Sequence, residues 1–236
     1  MMTDNNTLEM TILQIETATT ACSVALAKDG QVIAVRELNQ HNIHAEVITL
    51  YIDELLKQTG LIYADLDAVA VSSGPGSYTG LRIGVSTAKG LCFGLDKPLI
   101  AVETLSAMAQ GMISTSSLAP RTLLCPMIDA RRMEVYTALY NIDGSEVKPT
   151  TAEIIDENSF AEYLKDNSIV FFGDGADKCK EMLGNHPNAI FIAGFANSAT
   201  HLTQKALAKF VNGQFEDVAY FEPFYLKDFL VTQKKA

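Results

Sequence analysis

The sequence predicts an α/β protein built of two tandem halves. Runs rich in β-branched and alternating apolar residues are separated by stretches with helical period. The order of these elements repeats after the Ser116–Pro120 stretch. An Asp-Gly pair, Asp29-Gly30 and then Asp143-Gly144, stands at the same place in each half, and Asp-Gly tolerates the positive φ values of a tight hairpin.

In the first half, Thr11 to Ile15, Cys22 to Ala27 and Val32 to Leu38 read as three strands, the last two joined by the first Asp-Gly turn. A helix follows from about Ile43 to Thr59, with Gly60 placed to end it. Leu66 to Ser72 is a fourth strand, and the Gly-rich Ser73–Thr79 leads into a helix ending near Gly94. Pro98 to Val102 is a fifth strand, before a helix from about Glu103 to Met112. The second half gives strands at Leu123–Ile128 and Met133–Tyr140, a short strand near Val147, and a helix from about Ser159 to Lys165. A strand at Ile169–Phe172, a Gly-rich break and a helix to about Leu183 come next, then a strand at Ala189–Ile192 and a long helix over Ser198–Val211.

Three antiparallel strands followed by parallel strands with crossover helices is the order of a ribonuclease-H-like domain. Two in tandem is the architecture of the actin, Hsp70 and sugar-kinase (ASKHA) group, an analogy of fold that does not give function. The expected domains are 1–115 and 116–236, with Ser116-Ser117-Leu118-Ala119-Pro120 between them and the last helix free to pack back on the first domain.

Hydrophobic residues make up 48% and charged residues 19% of the chain, which fits a globular domain and excludes a disordered or fibrous one. The net charge of −10 opposes binding of a phosphate backbone unless the basic residues cluster. The N-terminus lacks a basic start and an apolar core, and no apolar run reaches the ~18 to 20 residues that span a bilayer, so a cytoplasmic protein is expected. The cysteines at 22, 92, 125 and 179 form neither a CxxC pair nor a zinc spacing and read as buried reduced thiols.

Ser72 to Gly80 follows a strand and opens a helix, a junction that offers backbone N–H groups to an anion. It is no P-loop, since Leu81-Arg82 follows Gly80, and a tight turn is the plainer reading. The helix it opens contains Gly80, Gly84, Ala88, Gly90 and Gly94, each interior glycine costing about 1 kcal/mol relative to alanine. Positions 80, 84 and 88 form a stripe of small residues on one face, open to close approach by another backbone. The first helix carries apolar residues at 47, 48, 50, 51, 52, 55 and 56, around more of its circumference than one sheet can bury. Either another element of the chain covers the excess, or the two helices dock side by side on another subunit.

Candidates for catalysis are sparse. His41 and His44 precede the first helix with no third ligand evident and read as solvated residues, with Asn42 as an N-cap. His186 and His201 lie in no recognisable motif, and Ser77 would need a base brought near it in space. Glu16 occupies the nucleotide-binding position of the fold, but Glu16-Thr17-Ala18-Thr19-Thr20 lacks the glycine of a phosphate hairpin. It is a weak cofactor-binding candidate beside the simpler role of bracing the hairpin. Arg131 and Arg132, adjacent at a hairpin tip, point to a partner or a phosphate, or to an ordinary polar turn.

Ser73-Gly74-Pro75-Gly76-Ser77-Tyr78-Thr79-Gly80-Leu81-Arg82-Ile83-Gly84 resembles the signature of the TsaB family, also called YeaZ. Ile15-Glu16-Thr17-Ala18 with Cys22-Ser23-Val24-Ala25-Leu26 is similar to that family's opening hairpin, and Asp129-Ala130-Arg131-Arg132-Met133-Glu134-Val135-Tyr136 to its second-half hairpin. Glu222-Pro223-Phe224-Tyr225-Leu226-Lys227 resembles its C-terminal motif with lysine in place of arginine. The resemblance implies the two-domain actin-like fold and a scaffold role beside the catalytic subunit TsaD and the ATPase TsaE. With threonylcarbamoyl-adenylate made by TsaC, that assembly modifies adenosine 37 of tRNAs reading codons that start with A. It also implies a homodimer and ATP used through TsaE, while the net charge of −10 leads to the expectation that tRNA is met only through the complex, and the missing hairpin glycine to the expectation of no tightly bound cofactor. TsaD carries a His-x-x-x-His metal pair after its fifth strand, and here the matching positions are Thr104 and Met108, so no catalytic or metal site is expected. The expected partner interface is Val47, Tyr51, Leu55, Gly80, Leu81, Gly84, Val85, Thr87, Ala88 and Leu91. The competing function is a stand-alone ATP-dependent phosphotransferase of the same fold. A metalloprotease is a third, which Thr104 and Met108 oppose.

Overall fold

Asp29 and Gly30 both hold positive φ, 51° and 77°, and their turn joins the second strand to the third. The structure, a computed structural model, describes residues 9–40 and 43–227. Strands β1 (Thr11–Glu16), β2 (Ala21–Lys28) and β3 (Gln31–Asn39) form an antiparallel meander. Helix α1 (His44–Thr59) then crosses to β4 (Ala68–Ser72), α2 (Tyr78–Leu95) to β5 (Leu99–Val102), and α3 (Thr104–Thr115) leaves the sheet. The sheet order is β3-β2-β1-β4-β5, with β4 and β5 parallel to β1. The second half repeats the topology. Strands β6 (Thr122–Asp129), β7 (Glu134–Asn141), β8 (Glu146–Ile154), β9 (Ser168–Phe172) and β10 (Ala189–Ile192) give the order β10-β9-β6-β7-β8. The tandem ribonuclease-H-like fold expected from the sequence is the fold observed.

Side-chain alternation along β1 sets the layers. Leu13 and Ile15 join Ile48, Ile52 and Leu55 of α1 and Val85, Ala88 and Cys92 of α2 in one core. Ile12 faces the other way, with Leu202, Ala206 and Phe210. Those last residues lie on and just before α6 (Thr203–Val211), which therefore packs on the first sheet. In exchange, α3 lays Leu105, Met108, Ala109 and Met112 on the second sheet, against Leu124, Ala138 and Phe172. The two inner helices thus change partners, and packing crosses the boundary expected at residue 115.

Four elements differ from expectation. Strand β8 runs nine residues rather than a few, because Pro149 sits on the edge strand of its sheet, beside the register shift opposite Ala138, where no ladder N–H is needed. The helix expected over 159–165 shrinks to α4 (Ala161–Leu164), since Phe160 holds φ of 62° and cannot be helical. The helix expected before Leu183 is a 3₁₀ turn over Asp177–Cys179 followed by α5 (Lys180–Leu183), and the last helix likewise opens with a 3₁₀ turn at Ala199–Leu202.

Candidate functional site

The Gly-rich loop spends its donors inside the chain. The Gly74 N–H donates to Thr104 Oγ1 at 3.1 Å, and the Ser77 N–H to the Ala18 carbonyl at 2.7 Å. Ser77 caps α2, its Oγ accepting from the Gly80 N–H at 3.2 Å, which assigns the hydroxyl a structural duty. From the far end of the chain, the Phe224 N–H donates to the Ser73 carbonyl at 2.7 Å, and a Cβ on Gly74 would stand 2.6 Å from the Phe224 carbonyl oxygen. The loop is a packed turn, the plainer of its two readings.

The stripe of small residues faces inward. A Cβ on Gly80 would lie 2.1 Å from the Thr17 carbonyl oxygen, and one on Gly84 2.2 Å from Thr17 Oγ1. Gly80, Leu81, Gly84, Val85, Ala88 and Leu55 are all buried against the chain's own β1 turn and first core. The expectation that these six meet a partner is therefore corrected: the close backbone approach is to Thr17 and not to another subunit. Val47, Tyr51, Thr87 and Leu91 stay half-buried and open outward. Beside them the helices expose what sequence reasoning left out of the interface. Phe93 is 85% exposed and Leu50 57%, while Gly90 and Gly94 have nothing within 4 Å of where a Cβ would stand. The two helices touch each other, and each carries exposed apolar side chains on its outer side. The signal that could have found part of it is helical phase: once 80, 84 and 88 point at the sheet, 90 and 93 cannot.

Glu16 ends β1 and is 1% exposed. Its Oε1 accepts from the Ala18 N–H at 2.6 Å and the Ser72 hydroxyl at 3.0 Å. Burial pushes its pKa up to about 7, with the Ala18 N–H, the Ser72 hydroxyl, the Thr17 N–H and the Asn197 side chain holding it lower than burial alone would. Bracing the β1–β2 turn is what its contacts do. Between the halves, Thr19, Thr20 and Asn39 face Asp174, Phe195 and Asn197 across a crevice of about 260 Å³, open solvent included.

The histidines are scattered. His44 is buried, its Nε2 3.0 Å from the Thr19 carbonyl oxygen and 3.2 Å from that of Ala21, so it is not the solvated residue expected. His41 and the Asn42 cap lie outside the described residues. His186 Nδ1 accepts from the Asn188 N–H, and His201 stacks on Phe195 with burial holding its pKa down. Thr104 is fully buried, and Met108 places its methyl 2.7 Å from where a Cβ on Gly173 would stand. Among the described residues no three His, Cys, Asp or Glu side chains converge as metal ligands, and no helix is long and apolar enough to cross a membrane.

Comparison with known proteins matches residues 31–229 to the family model described as TsaD, tRNA N6-adenosine threonylcarbamoyltransferase. The tRNA threonylcarbamoyladenosine biosynthesis protein TsaB of Escherichia coli K12 is 35% identical over 231 residues, 95% of this chain and 98% of that one. The TsaB of Bacillus subtilis 168 is 31% identical over 227 residues, 92% of this chain and 94% of that one. Among solved structures, YeaZ from Pseudomonas aeruginosa superposes with a TM-score of 0.79 at 26% identity, covering 92% of this chain and 100% of that one. Similar to these relatives across nearly its whole length, the chain belongs to the TsaB family.

Proposed function

We propose that this chain is a non-catalytic partner subunit in the formation of threonylcarbamoyladenosine on tRNA, docking a TsaD-type catalytic subunit through the outer faces of α1 and α2. The observation that carries the reading is that two touching helices leave Phe93 and Leu50 exposed and Val47, Tyr51 and Leu91 half-buried. A phenylalanine 85% exposed on a helix whose glycines at 90 and 94 have no neighbour within the chain is costly unless something covers it. The names of its relatives place them in that pathway. Thr104 and Met108, at the positions where TsaD carries its histidine pair, are engaged in a backbone hydrogen bond and in packing over Gly173. Chemistry and metal then fall to the TsaD-type subunit and nucleotide turnover to a TsaE-type ATPase, in the cytoplasm. A second copy of the chain competes for the same face.

The test is light scattering on the chain alone and mixed with the TsaD-type protein of its own organism, with Phe93→Asp alongside. A one-to-one complex that Phe93→Asp abolishes without lowering the melting temperature is the expected result. No complex with the wild-type chain, with or without TsaE-type protein and ATP, would point to an independent phosphotransferase, and nucleotide binding by the isolated chain would then decide.

A further inference from the structure

The net charge of −10 conceals one edge of the molecule where cations gather. It begins at the start of α2, where the Arg82 guanidinium lies 5.4 Å from the centre of the Tyr78 ring and donates to its hydroxyl at 3.4 Å. Tyr78 meets Tyr225 of the C-terminal segment, ring centres 5.0 Å apart. Two residues on, the Lys227 ammonium sits 5.8 Å from the centre of the Tyr136 ring and pairs with Glu134 on β7. Glu134 directly follows the β6–β7 hairpin that carries Arg131 and Arg132, and its carbonyl oxygen accepts from Lys178 Nζ at 2.7 Å. The edge thus runs over the first half, the C-terminal segment and the second half without a break.

Two of its carboxylates are already engaged, while Glu222, near Tyr225, has no ion-pair partner among the described residues. Glu134 is paired with Lys227; Asp129 is paired with Lys178 and also accepts the Arg131 N–H at 2.7 Å. Among the described residues Arg82, Arg131 and Arg132 have no ion-pair partner. Arg131 and Arg132 are exposed and hold consecutive positive φ values of 71° and 50°. Such a turn ordinarily selects Asn-Gly or Gly-Gly. Two arginines there strain the backbone and gain no packing, so what they contribute lies outside the folded chain.

We propose that this edge, from Arg82 through Tyr225 and Lys227 to Arg131 and Arg132, is a direct contact surface for RNA. Guanidinium groups would take backbone phosphates, and the tyrosine faces between them would take unstacked bases. Alternation of cations with half-exposed aromatic rings favours a nucleic acid over an acidic protein, which needs the charges but not the rings. The identity of the RNA as tRNA rests on the reading given under Proposed function; the charge pattern does not. The expectation that tRNA is met only through other subunits followed from net charge, and net charge does not describe this edge.

The experiment measures binding of unmodified tRNA to the assembled complex over a salt series, comparing wild type with the double variant Arg131→Gly, Arg132→Gly. Glycine suits both backbone positions, so the variant should fold at least as well as the wild type. The slope of log affinity against log salt should fall by about 1 to 2, as expected when one or two phosphates are no longer neutralised, with affinity at low salt down about tenfold. Light scattering should show the assembly unchanged. Intact assembly with unaltered slope and affinity overturns the proposal, and so does loss of assembly in the variant, which would make the edge a protein contact. Should the wild-type complex not form at all, the docking reading fails by itself, and the same salt series on the isolated chain still decides the RNA contact.

Discussion

The hydroxyl of Thr17 stands where a side chain on Gly84 would have to go: a Cβ there would lie 2.2 Å from Thr17 Oγ1 and 3.3 Å from Thr17 Cβ. That hydroxyl has no hydrogen-bond partner, so removing it leaves nothing unpaired. Gly84→Ala should cost about 1 to 3 kcal/mol through overpacking. Thr17→Ala in the same chain should recover most of it. One turn earlier the obstacle differs in kind. A Cβ on Gly80 would lie 2.1 Å from the Thr17 carbonyl oxygen, and main chain cannot be trimmed away. Thr17→Ala should therefore leave the cost of Gly80→Ala untouched. Denaturant melts over both double-mutant cycles decide it: strong coupling at 84 and little at 80 is expected, and equal coupling would show that α2 shifts as a body.

Glu16 makes stability depend on pH in an unusual direction. Its pKa is near 7 in the folded chain, against 4.5 for the ordinary side chain. The folded state therefore holds a proton that the unfolded state has released. Its contribution is most favourable below pH 4.5 and is lost as pH rises towards 7. Gln at this position keeps an acceptor for the Ala18 N–H and the Ser72 hydroxyl but carries no charge. Glu16→Gln should be close to wild type in urea melts at pH 5 and more stable by about 2 to 3 kcal/mol at pH 8. A variant less stable than wild type at pH 8 would show that the hydrogen bonds to the carboxylate outweigh its burial.

Much of the fold was legible because it is written in local signals. The Asp-Gly turn, the Gly60 cap and the paired order of strands each follow from backbone preferences that act within a few residues, and Gly60 does adopt φ of 72° beyond α1. The exposed face of α1 and α2 was only half legible, because a helix wheel shows how wide an apolar face is but not which part of it the sheet will cover. Gly84 and Gly90 are alike in sequence terms. One lies against Thr17 and the other faces open space, and only the tertiary arrangement of β1 and α2 separates them. The short outer helices of the second half escaped for a similar reason: the positive φ of Phe160 has no signature in a residue that rarely adopts it. The cationic edge joins residues 82, 131 and 227, and their distance in sequence hides it from any window.

Lys89 fastens the C-terminal segment to α2. Its ammonium donates to the Ala219 carbonyl at 3.1 Å and the Phe221 carbonyl at 2.9 Å, while Val218 and Phe221 pack against the first core. Beyond that point the segment reaches Ser73 and Gly74 and then presents Tyr225 and Lys227 to the cationic edge. Lys89→Met retains the apolar stem and removes both donors, at a cost of about 1 to 2 kcal/mol for hydrogen bonds of a charged group near the surface. That loss should fall on the segment, whose carbonyls Lys89 holds, and not on the cores. Limited proteolysis should therefore cut Lys89→Met within 213–227 several times faster than wild type while the remaining domain resists as before. Because Tyr225 and Lys227 would loosen with the segment, the same variant should also weaken RNA binding without altering any residue of the edge itself. Unchanged cleavage would mean that the Glu216–Leu99 bridge and the burial of Phe221 hold the segment unaided, and Lys89 would then be a passenger on α2.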